Sequence, residues 1–234
     1  YGESYGREDT EAIKAITLLA SRYLSLLFVP TAMGLAVLAS PTLLFFAGEK
    51  YVGGAIALMV FGVSGAFTAL TPMLSFLLIT YERMGAFLWA NITAIAGSLS
   101  LSPFLLPSYG IRFGTALIRG IANVLLLLFY LAATRKIVSI DIGVFTKALI
   151  GSSIMALAVY AFQSIWFDPL LLPAYVLVGV VVYAACVKVL GAVGKEDVAL
   201  LSKAFPKSLR GIVLALGGLL ARPSPANDEV EEEV

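Results

Sequence analysis

Arg112, Thr115, Arg119 and Asn123 follow one another at intervals of three, four and four residues. That spacing puts all four on one face of an α-helix. The row carries two fixed positive charges together with a hydroxyl and a carboxamide. This is chemistry for holding an anion such as a phosphate, which the planar fork of a guanidinium suits better than an ammonium does. The setting makes the row unusual, because the run from Ile111 to Ala133 is otherwise apolar. A charged side chain at membrane depth is costly unless it faces protein or water. Two readings are open: Arg119 snorkels outward to the headgroups, or the row lines a water-filled cavity that attracts an anionic group. Asn123 lies deeper and is too short to snorkel, which favours the cavity.

Two further sets of polar residues interrupt apolar runs. Ser64, Thr68, Thr71 and Ser75 form a hydroxyl stripe beside Pro72, and Asn91 and Ser98 mark one face of the next segment. Small hydroxyls at such spacing make helix–helix packing faces. A proline in a membrane helix also leaves carbonyls unbonded near the midplane, which makes Thr71 and Asn91 candidates for substrate contact with the basic row. Other chemistry is excluded by residue type. The chain has no His, and its one Cys, Cys186, sits in an apolar run, so a centre built on His/Cys clusters and an internal disulfide are ruled out. Glu49, Glu82, Asp141 and Asp168 fall between apolar runs, so an ion-coupling carboxylate is not expected at depth. No metal or cofactor is called for.

The elements that position these residues follow from hydropathy. Tyr23 to Gly48, Tyr51 to Tyr81 and Met84 to Ile111 carry no charge, and each exceeds the roughly 20 residues a helix needs to cross a bilayer. Ala148 to Phe167 and Pro169 to Val187 are similar. Hydrophobic residues make up 60% of the chain and charged ones 13%, with mean hydropathy +0.95. The expected fold is an all-α polytopic membrane bundle with spans at about 17–39, 54–80, 85–106, 111–133, 142–166 and 170–188. Pro30 and Pro72 are expected to kink their helices, while Pro41, Pro103, Pro107, Pro169 and Pro173 punctuate connections. Orientation follows from Lys and Arg: with the amino end cytoplasmic, thirteen lie on the inside segments, and only Lys50 and Arg112 outside. Both ends then face the cytoplasm of a plasma-membrane protein. Residues 1–193 form the bundle, 194–222 interfacial helices and 223–234 a disordered acidic tail. The net charge of +1 gives no reason to expect nucleic acid. The polar start at Tyr1 suggests the carboxy-terminal piece of a longer protein.

The order of motifs also resembles a known family. Tyr5-Gly-Arg-Glu-Asp opens the first helix, Ser21-Arg-Tyr precedes Val29-Pro-Thr-Ala-Met-Gly-Leu, and Ser40-Pro-Thr-Leu-Leu-Phe-Phe-Ala-Gly-Glu-Lys-Tyr follows. Tyr81-Glu-Arg with Asn91, Tyr109-Gly-Ile-Arg-Phe-Gly-Thr-Ala-Leu, and Asp197 with Leu200-Leu201 complete the series. Up to about Pro206 this is similar to the carboxy-terminal lobe of polysaccharide (lipid-linked oligosaccharide) flippases of the MOP exporter superfamily. The resemblance implies the last six of fourteen spans, an amino-terminal lobe on the same chain, and alternating access that carries lipid-linked sugars across the membrane. Arg112 departs from the family pattern, which has a small or apolar residue there. A small-molecule exporter of the same superfamily and a non-transporting scaffold are the alternatives. An enzyme is not expected, because the loops between spans are too short to carry a catalytic domain.

Overall fold

The computed structural model describes residues 10–135 and 142–192, with side chains from residue 16 onward. The amino-terminal motif, the interfacial segments from 194 and the acidic tail lie outside the described residues. The helices are α1 (Thr10–Val37), α2 (Ala39–Ala47), α3 (Ala55–Phe67), α4 (Thr71–Thr80), α5 (Met84–Thr134), α6 (Ile142–Ile165) and α7 (Leu172–Leu190), with 3-10 turns at Glu49–Gly54 and Pro169–Leu171. Among the described residues there is no strand. Among the described residues, five helical segments are long and apolar enough to cross a membrane, and a helix is the form that lets most of their backbone groups bond within the segment, as hydrocarbon requires. Large apolar side chains stand exposed along these helices, among them Leu27, Ile95, Leu157 and Leu177. The chain is a multi-pass membrane protein.

The 51-residue α5 is two antiparallel arms rather than one rod. Gly110 breaks it with φ +74° and ψ 163°, a conformation that only glycine adopts cheaply. Contacts on either side then pair in hairpin order. A methyl at Gly114 would meet the Leu105 carbonyl at 3.0 Å, and one at Gly97 the Leu125 side chain at 4.0 Å. Further along, Asn91 Nδ2 donates to the Tyr130 hydroxyl at 3.0 Å, and Arg83 Nη1 donates to the Ala133 carbonyl at 3.5 Å. The first arm was expected to end near 106 at its prolines. It runs through Pro103 and Pro107 to residue 109, because a proline removes one internal bond whereas a reversal needs the backbone that Gly110 supplies.

Pro72 acts differently from the expected kink. It sits in the first turn of α4, where its missing N–H is unpaired in any case. α3 ends before it: Thr68 N–H closes on the Ser64 carbonyl at 3.1 Å, and Thr71 N–H takes the Thr68 carbonyl at 3.0 Å. The segment expected as one helix over 54–80 is therefore two, and the hydroxyl stripe does not run along a single helix. Pro30, by contrast, lies within a helix assigned without interruption from Thr10 to Val37.

Packing follows a row, α7–α6–α1–α3–α5, with α4 held on α5. Small residues allow the closest crossing: a methyl at Gly62 of α3 would lie 2.7 Å from both the Ala32 carbonyl oxygen and the Ala36 Cβ of α1. Tyr183 of α7 reaches across to donate to the Leu26 carbonyl of α1 at 2.9 Å. Leu74, Leu78 and Tyr130 fill the space between α4 and α5. Val29, Ala66 and Ala148 meet where α1 touches α3 and α6. The helices α5 and α7 end the row and share no substantial contact.

Candidate anion-binding face on the second arm of the hairpin

Two neighbours flank the second arm of α5 (residues 111–134). α3 approaches Gly120, where a methyl would meet Ser64 Cβ at 3.4 Å, and the first arm approaches Gly114. These contacts leave two strips of the arm uncovered. One carries Arg112, Thr115 and Arg119, all exposed, and half-buried Asn123. The other carries Leu117, Ile121, Val124 and Leu128, with Ile121 and Leu128 exposed. The apolar strip and α3 together form an open groove of about 500 Å³ lined by Met59, Val63, Phe67 and their neighbours.

The four sequence-predicted residues of the basic row are thus brought onto one uncovered face. Among the described residues, the guanidinium groups of Arg112 and Arg119 and the side-chain amide of Asn123 have no hydrogen-bond or ion-pair partner. Thr115 turns its hydroxyl back on its own helix, to the Ile111 carbonyl at 2.6 Å and the Arg112 carbonyl at 3.2 Å. Its lone pairs remain available as acceptors. Two guanidinium groups with their donors uncommitted among the described residues, seven residues apart and so about 10 Å along the axis, give this face the donors and charge that an anion would need.

Asn91 and Thr71 are not part of that face. Asn91 spends its amide on the Phe87 carbonyl at 2.8 Å and on the Tyr130 hydroxyl, so it fastens the two arms of α5 together. The Tyr130 ring stacks beside Phe87 with centroids 6.3 Å apart. Thr71 stands at the α3–α4 break with its hydroxyl buried and unpartnered, and makes no contact with the row among the described residues.

Other polar groups that were not singled out from the sequence hold helix ends. Lys147 Nζ donates to the Gly191 carbonyl at 3.3 Å, a cation at the carboxy end of α7 where the helix dipole favours it. Fully buried Tyr175 donates to the Trp166 carbonyl and accepts from Asp168 N–H at 3.1 Å, which pins the α6–α7 connection. Nothing in the local sequence marks these partners, because each pair lies across the fold or across a turn.

The geometry defines an all-α membrane bundle: a row of packed helices with one polar face left uncovered. No protein-family model matches the chain, and no curated protein matches it. Among solved structures, the lipid II flippase MurJ in an inward closed conformation has the same fold, with a TM-score of 0.68 and 18% sequence identity. The match covers 80% of this chain and 40% of that one, so the matched part spans about two fifths of the structure it resembles. At the level of fold, the likeness agrees with the flippase resemblance of the sequence motifs.

Proposed function

We propose that this chain forms the carboxy-terminal lobe of a flippase that moves lipid-linked oligosaccharide or polysaccharide precursors across the plasma membrane by alternating access. The observation that carries this reading is Arg119: an uncommitted guanidinium on an uncovered face of a membrane-length helix, in a fold shared with a lipid flippase. In lipid such a group needs a counter-charge or water, and an anionic headgroup entering between two lobes supplies the first. Arg112 and Arg119 bind the anion, Thr115 and Asn123 hydrogen-bond beside it, and membrane lipid solvates the opposite, apolar strip. The partner lobe is an amino-terminal half of the same chain, a reading supported by the 40% coverage of the matched flippase. In this arrangement the helices make six crossings with both ends cytoplasmic, and the chain is a transporter and not an enzyme.

The test is transport by the full-length protein, reconstituted or in a complementation assay. Arg119→Gln reduces transport about tenfold or more while expression is kept, since a charge-assisted contact is worth roughly 1.5–3 kcal/mol. Arg119→Lys retains part of the rate. A wild-type rate for Arg119→Gln contradicts the reading.

A further inference from the structure

We infer that Gly53 is a positioning residue for Arg112, leaving the seat in which the outermost guanidinium of the basic row rests; this rests on the reading of that row as an anion-binding face. Gly53 lies in the 3-10 turn before α3, and positive φ among the described glycines is confined to Gly48, Gly110 and Gly191. Its backbone therefore does not demand glycine. What a side chain there would meet is Arg112: a Cβ at Gly53 would lie 2.5 Å from Nη1 and 3.6 Å from Cζ, with no other atom near. At Gly54, next in the chain, a Cβ would make ordinary contact with Leu43 Cδ1 at 3.8 Å. The missing side chain at position 53 is matched to one partner only.

The seat fixes a charge without consuming it. Arg112 is exposed, and its guanidinium has no hydrogen-bond or ion-pair partner among the described residues. Glycine at position 53 thus keeps this place beside the turn open to the guanidinium, with its N–H donors still free for an anion. Holding a long side chain in its binding geometry lowers the entropy that binding costs. Because the colliding atom is the tip of a flexible side chain, Gly53→Ala displaces Arg112 and leaves the backbone as it is.

The experiment measures binding of farnesyl diphosphate to the purified full-length protein in nanodiscs. Gly53→Ala and Arg112→Ala each weaken binding by roughly threefold to tenfold, and the double variant is no weaker than either, since the two act through one group. Thermal unfolding of Gly53→Ala matches the wild type. Phenylglyoxal modification of Arg112, followed by peptide mass, changes rate in Gly53→Ala, and in the wild-type protein farnesyl diphosphate protects Arg112. Additive losses in the double variant, or wild-type affinity in Gly53→Ala, overturn the seat. An Arg112 that the probe does not protect overturns it without any variant having to fold. If Arg119→Gln loses the probe while Arg112→Ala keeps it, the row stands and the Gly53 inference falls. If the wild-type protein does not bind the probe, the anion-binding reading falls and takes this inference with it.

Discussion

The second arm of α5 turns two uncovered strips away from its neighbours. One presents Arg112, Thr115, Arg119 and Asn123, and the other presents Leu117, Ile121, Val124 and Leu128. The strips share one backbone and the same two flanking elements and overlap along the arm from residue 117 to 123, so element type does not explain their difference. What differs is the medium each must meet. A strip without a hydrogen-bonding group is solvated by hydrocarbon at no cost, whereas uncommitted guanidinium groups require water or an anion. Exposure in a membrane protein therefore has two meanings, and side-chain chemistry decides between them.

The sharpest way to break this comparison is to exchange the chemistry of the strips. Ile121→Arg puts a charge on the apolar strip near the middle of the arm and costs about 2.5–3.5 kcal/mol of insertion free energy. Thr115→Arg puts the same charge on the polar strip and costs little. The yield of membrane-inserted protein and its thermal unfolding in detergent read the difference, and equal losses would remove the distinction between the strips. The next effect concerns the crossing that holds α3 in the row. Gly62→Ala meets the Ala32 carbonyl and Ala36 Cβ at 2.7 Å and destabilises by roughly 1–3 kcal/mol. Gly120→Ala, whose methyl would meet Ser64 Cβ at 3.4 Å, costs less, and the order of the two melting temperatures checks the claim.

Smaller effects separate polar residues that hold the fold from those left open. Asn91→Ala removes the bond to Tyr130 and costs about 0.6–1.7 kcal/mol. Tyr130→Phe costs a similar amount, and in the double variant the losses overlap, as a double-mutant cycle on unfolding would show. The smallest change is at Thr71, whose buried hydroxyl has no partner among the described residues. Thr71→Val keeps the shape and is neutral or slightly stabilising, because an unpaired buried hydroxyl contributes nothing favourable. A clear loss of transport in Thr71→Val with unfolding unchanged would return that hydroxyl to the site.

Much of this was legible in the sequence, and the failures have physical causes. Membrane-length apolar runs identify the helices because hydrocarbon admits few other structures. The intervals of three and four that placed Arg112, Thr115, Arg119 and Asn123 on one face depend only on helix geometry. Boundaries were harder to read. Pro103 and Pro107 looked like a stop and are carried inside the helix, whereas Gly110 makes the reversal with a positive φ. Pro72 looked like a kink and instead starts a new helix. Long-range pairs were not legible at all. Asn91 with Tyr130 and Gly53 with Arg112 lie 39 and 59 residues apart in sequence, and only the hairpin and the packing of α3 on α5 bring them together.

The central claim is that the polar strip of the second arm faces water and an anionic ligand while the apolar strip faces lipid. Cys186 is the only cysteine of this sequence, so a full-length background in which Cys186 and any cysteine outside these residues are replaced by Ala allows single cysteines to be placed at 112, 115, 119 and 123 and at 117, 121 and 124. Reaction with a membrane-impermeant thiosulfonate then reads each strip directly. The account predicts labelling along the polar set and none along the apolar set. Equal labelling of both sets, or labelling of the apolar set alone, would contradict it.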